Sequence, residues 1–154
     1  MTSLTLKASP ARRFLALTLI AGLALILLTL ALRGELTGLS RLVLGGFGLA
    51  ALAGAEAMRR ATMGSVTLTE TGLVDESGRL IAALDDIESV DRGAFAFKPS
   101  NGFILRTRTR GARHWAPGLW WRMGRRVGIG GVTPAAPAKS MAEEIGMHIA
   151  QRNR

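Results

Sequence analysis

At 154 residues the chain has room for one modest domain plus appendages, and its 48% hydrophobic content is high for a protein with a formal net charge of +9. The complete lack of cysteine excludes thiolate catalysis, disulfides and zinc–thiolate sites. The apolar residues must be concentrated apart from the basic ones, and they lie in the first sixty positions.

Residues 1–13 are a short leading segment carrying Lys7, Arg12 and Arg13. FLALTLIAGLALILLTLAL, residues 14–32, follows with 19 apolar or small residues and no charge, close to the roughly 20 a helix needs to cross the hydrocarbon core. A secretory signal has an apolar region of about 7–15 residues ending at a small-residue cleavage site. This run is longer and continues into RGELTG, so a transmembrane helix is expected instead. LVLGGFGLAALAGAEAM, residues 42–58, is expected to be the second span although it contains Glu56, because its length stays near the lower limit of about 17. Residues 14–60 then form a transmembrane hairpin.

Positive charge sets its orientation. Lys7, Arg12 and Arg13 precede the first span and Arg59 and Arg60 follow the second, against Arg33 and Arg41 in the connection. This bias places both termini in the cytoplasm. On the second span Gly46, Ala50 and Gly54 recur at spacing four, a small-residue face that lets helix backbones approach closely in lipid. Its partner is the first helix, another copy or a foreign subunit. Glu56 lies one turn from Arg59 and Arg60 and reads as an ion-paired interfacial acid, since a proton relay needs further intramembrane partners.

Residues 64–152 make a small domain joined without a flexible linker, held at the membrane surface. Strands are predicted at SVTLTE (65–70), at LVD and RLIAA around the ESG turn, at AFAF (94–97) and FILRTRT (103–109) around KPSNG, and at RVGIGGV. LDDIESVD fits either a bent strand or one helical turn. At the end, Thr133 suits an N-cap and Pro134 the first helical position, with Pro137 tolerated in the first turn. Met141, Ile145 and Ile149, with Ala138 and Ala142 beside them, predict an amphipathic helix closing over the sheet.

Two membrane helices, a run of short strands and one C-terminal helix introduced by IGGVTPAAPAKSMAEEI resemble the small bacterial membrane proteins with a pleckstrin-homology-like domain. The resemblance covers the order of elements and rests on no diagnostic motif. It implies a sheet bent into a partial barrel and capped by the helix, in the bacterial inner membrane, and it implies neither an enzyme activity nor a known ligand. The expected fold class is therefore membrane α+β: an N-terminal helical hairpin, then a small antiparallel β domain.

Charge segregates along the domain. Residues 61–98 hold seven acids against three basic residues, whereas residues 99–132 hold seven arginines and no acid. Arg106, Arg108 and Arg110 alternate, so an extended strand puts them on one face, where Asp85, Asp86, Glu88 or Asp91 on a neighbouring strand can pair with them. Alternatively Arg113, Trp115, Trp120, Trp121, Arg122, Arg125 and Arg126 have the ring-plus-cation composition of a bilayer interface, with at least one tryptophan expected in the core. A basic patch with interleaved aromatics and a pI near 11.6 also suits a single-strand nucleic-acid binder. Topology already explains five of the seven basic residues before Gly64, however, and no nucleic-acid-binding signature is present.

Enzyme chemistry finds little support. His114 and His148 are the only histidines, and neither has an acid or second histidine at ligand spacing. Asp85 and Asp86 would point to opposite faces of a strand. The glycines of GRRVGIGGVTP match neither dinucleotide nor Walker spacing and read as a turn with close packing. No cofactor and no metal are expected. Two functions remain: an accessory or assembly subunit that binds a larger membrane protein complex or forms a homo-oligomer, and an anionic-lipid-binding surface module using residues 106–126.

Overall fold

A computed structural model of the chain describes residues 4–33, 35–91 and 99–152. The two apolar runs form α1 (Pro10–Leu32) and α2 (Gly38–Ala61), both long and apolar enough to cross a membrane, with mean hydropathies of 2.7 and 1.4. They pack antiparallel because small residues let them approach. A Cβ on Gly45 would lie 3.8 Å from Ala31 Cβ, and one on Gly48 would lie 2.7 Å from Leu28 Cγ, so Gly48 admits no larger residue without displacing Leu28. The rest of the chain scarcely covers them: only 11% and 6% of their most apolar windows are buried. Neither is a core helix of the domain.

A strand stands before the first helix, where sequence placed only a leading segment. β1 (Leu4–Lys7) pairs antiparallel with β2 (Ser65–Leu68), Lys7 opposite Ser65 and Leu4 opposite Leu68. The helical hairpin is thus inserted between two neighbouring strands, and both its ends lie on the same side as the β domain. Ser9 N–H donates to the Val132 carbonyl at 2.8 Å and Arg12 Nη1 to that of Thr133 at 3.3 Å, fastening the start of α1 to the domain.

β3 (Gly72–Asp75) and β4 (Leu80–Ala83) extend this sheet in the order β1-β2-β3-β4. Alternation decides which face is covered: Leu6, Val66, Leu68 and Leu73 are buried. LDDIESVD proves to be both of its readings, a 3-10 turn at Leu84–Asp86 followed by β5 (Ile87–Asp91). The AFAF strand predicted at 94–97 lies outside the described residues. β5 pairs with β6 (Phe103–Ala116), and β6 with β7 (Trp120–Ile129), in a second antiparallel sheet. Among the described residues the two sheets close no barrel.

β6 has 14 residues against 10 in β7, so the register slips between Arg106 and Gly111 and again before His114. Such bulges bend a hairpin. Here the tip returns to the base: Gly130 N–H donates to the Leu119 carbonyl at 2.8 Å and Val132 N–H to that of Gly118 at 3.0 Å.

α3 (Ala135–Arg152) lies over β5 and β1 and buries Ala138, Met141, Ala142 and Ile145 of the stripe the periodicity predicted, with Ile149 partly buried against the core. The expected cap is not made. Thr133 Oγ1 is buried without a hydrogen bond, and the helix begins at Ala135, one residue later than the expected start at Pro134, so Thr133 does not stand at the cap position.

Candidate functional site

The bent β6–β7 hairpin sorts the Arg/Trp stretch by alternation. Near the tip His114 stands opposite Arg122, Trp115 opposite Trp121 and Ala116 opposite Trp120. His114, Trp120 and Arg122 share the inward face. Trp120, only 3% exposed, joins the core and stacks on the His114 ring at 4.5 Å between centroids, and His114 Nδ1 lies 2.8 Å from Arg79 Nη1. Arg122 Nη1 donates to the Ile81 carbonyl of β4, its Nε to Gly124 and its Nη2 to Thr109, the last two at 3.4 Å. Arg122 therefore ties the two sheets together and holds the bulge.

The outward face carries Arg113, Trp115, Trp121 and Met123. The Trp121 indole occupies the space over Gly128, whereas Trp115 and Met123 remain 67% and 53% exposed. The hairpin tip between these strands is wedged against α2. Gly118 has φ +81, and a Cβ there would lie 2.9 Å from Met58 Cε and 3.0 Å from Thr62 Cγ2. Met58 and Thr62 are buried by this contact at the end of a helix otherwise open.

The remaining arginines divide in two. Arg106 Nε and Arg125 Nη2 both approach Glu88 Oε2, at 3.6 and 3.7 Å, and Arg125 Nε donates to the Thr107 carbonyl at 2.9 Å. This realises part of the cross-strand pairing expected from the acidic half, in exposed pairs of small energetic weight. Asp86, in the 3-10 turn rather than a strand, instead accepts from Thr109 N–H at 3.0 Å and Thr109 Oγ1 at 2.7 Å. Arg108, Arg110, Arg113 and Arg126 are exposed, and among the described residues no ion pair joins them. Arg106 and Arg126 stand directly opposite each other, a like-charge juxtaposition that disfavours the fold and that the Glu88 carboxylate beside Arg106 offsets in part.

On α2 the small-residue face divides from the helix contact. Gly45 and Gly48 meet α1, while Gly46, Ala50 and Gly54 point elsewhere: a Cβ on Gly46 or Gly54 would meet nothing within 4 Å, and Ala50 is exposed. Glu56 accepts Arg59 Nε at 2.7 Å and Nη2 at 2.9 Å, and Arg60 Nε at 2.6 Å, which accounts for the single acid in the apolar runs.

Sequence reasoning missed two parts of this surface, Met63 just beyond α2 and Met123, both exposed. Alternation along RMG carries the signal for Met123 once the register is known. Among the described residues no three His, Asp or Glu side chains form a metal-holding group. No family model, no curated protein and no solved structure matches the chain.

Proposed function

We propose that the protein is a non-enzymatic integral membrane protein, with α1 and α2 crossing the bilayer and both termini in the cytoplasm, that serves as an accessory or assembly subunit of a larger membrane protein complex. One observation carries this reading: the hairpin satisfies its own helix contact with Gly45 and Gly48 and leaves Gly46, Ala50 and Gly54 open. Such a face, unspent within the chain, suits close packing with another membrane helix. The strands with a capping helix support the pleckstrin-homology-like reading of the domain, and with it the bacterial inner membrane as the site of action.

The test is recovery of the tagged protein from its native membranes in mild detergent, compared with Gly46→Leu/Gly54→Leu. Both positions have room for a side chain within the protomer, so the variant keeps its fold. A stoichiometric companion lost from the variant is the expected result. The same companion retained on the variant overturns the proposed face, and recovery with no companion overturns the accessory role.

The second reading is an anionic-lipid-binding surface module. It is favoured by Arg108, Arg110, Arg113 and Arg126, whose exposed charges are without ion pairs among the described residues, and each basic group near an anionic leaflet contributes up to about 1 kcal/mol. Retention of anionic lipid by the purified protein, lost on changing these four to Gln, supports it. Arg122 stays out of that variant because it holds the sheets together.

A further inference from the structure

We propose that Trp115 is an interfacial anchor, seated in the headgroup layer of the bilayer beside the end of α2, and that it fixes which face of the β domain meets the membrane. The inference rests on the reading that α1 and α2 span the bilayer; it depends on neither the helix partner nor anionic lipid.

The depth follows from the hairpin tip. Met58 is the last apolar residue of the second span, followed at once by Arg59 and Arg60, so the boundary of the hydrocarbon core falls there. The Gly118 turn sits on Met58 and Thr62. Trp115, the penultimate residue of β6, is three residues from Gly118 in the turn that follows, hence no more than about 11 Å away even in a fully extended chain. The headgroup layer beyond the hydrocarbon is itself roughly 5–7 Å deep on each side. The headgroup layer therefore lies within reach of the indole.

The chemistry fits the depth. Of three tryptophans, Trp120 is in the core and Trp121 covers Gly128, and Trp115 alone is largely uncovered, at 67%. An indole carries a large apolar ring with one N–H donor, the combination that favours a site half apolar and half wet. Its neighbours match. Met123 and Arg113 share its outward face, and Met63 leaves the end of α2 at 61% exposure. The rigid wedge of Gly118 against α2 and the Arg122 tie hold this face in place, so the anchor orients the whole domain.

The full-length protein is reconstituted into vesicles of phosphatidylcholine alone, with a part of that lipid brominated near the carbonyl end of its acyl chains. The zwitterionic bilayer removes any contribution from anionic headgroups. Bromolipid is expected to quench a blue-shifted component of tryptophan emission that disappears in Trp115→Phe, while Trp115→Phe leaves the remaining emission and the circular dichroism unchanged. Emission from Trp115 that is quenched by aqueous acrylamide and not by bromolipid overturns the proposal, as does emission reached by neither. Sodium carbonate washing of the vesicles separates the two premises: protein released by carbonate shows that the spanning reading has failed, whereas protein retained with an unquenched Trp115 shows that the anchor alone has failed.

Discussion

Asp75 shows how a single side chain holds a turn. It closes the β3–β4 hairpin by accepting from Ser77 Oγ at 2.5 Å, Ser77 N–H at 2.9 Å and Arg79 N–H at 3.0 Å. Burial works to raise its carboxyl pKa, but the bonds from Ser77 and Arg79 together with the Arg79 charge outweigh it and hold the group below its ordinary range. A depressed folded pKa stabilises at pH above the unfolded value, and that contribution is lost as pH falls through the folded one. The loss therefore lies below about pH 4. Asp75→Asn should lower the melting temperature at pH 7 and flatten its dependence on pH below 4; parallel acid curves for the two proteins would show that Asp75 is not responsible.

At the scale of elements, the β6–β7 hairpin decides what its composition means. Seven arginines on equivalent-looking strand positions take different work because two slips of register separate them. Arg122 serves the carbonyls of Ile81, Gly124 and Thr109, whereas Arg126 is exposed and makes no hydrogen bond or ion pair among the described residues. Leaving carbonyl groups without a charged donor costs about 1–3 kcal/mol. Arg122→Gln should accordingly lower the unfolding midpoint by that order, while Arg126→Gln stays within about 0.5 kcal/mol, as surface changes do. Equal effects in a denaturant titration of the two variants would mean that the tie between the sheets does not matter.

For the whole molecule, the insertion of the helices between β1 and β2 has the largest consequence. The domain as sequence bounds it, 64–152, omits Leu6, which is fully buried, and leaves the edge of β2 unpaired. Deleting a buried leucine side chain alone costs about 2–5 kcal/mol, a large fraction of the stability of a small domain. Residues 64–154 produced alone should aggregate or stay unfolded. Lys7 and Ser65 are register partners, so joining them through an Asn-Gly turn in place of residues 8–64 should yield a folded, monomeric domain, since that dipeptide suits a two-residue hairpin. Dispersed amide spectra from the shorter piece and not from the joined one would reverse this assignment of β1.

The helices, the C-terminal stripe and most strands were legible in the sequence because each rests on a local period: 19 uncharged residues, Met141 to Ile145 at spacing four, alternation in SVTL. These signals need no partner to be read. β1 was not legible. LTLK is four residues long, and what makes it a strand is hydrogen bonding to residues about sixty positions away. The same holds for the surface. Sequence alone determined that cations and tryptophans concentrate in 106–126 and that Gly46, Ala50 and Gly54 share a face. Which tryptophan enters the core, which arginine is spent on carbonyls and which glycines meet α1 were decided by register and by helix rotation, because the side a residue faces depends on the neighbour its backbone has found.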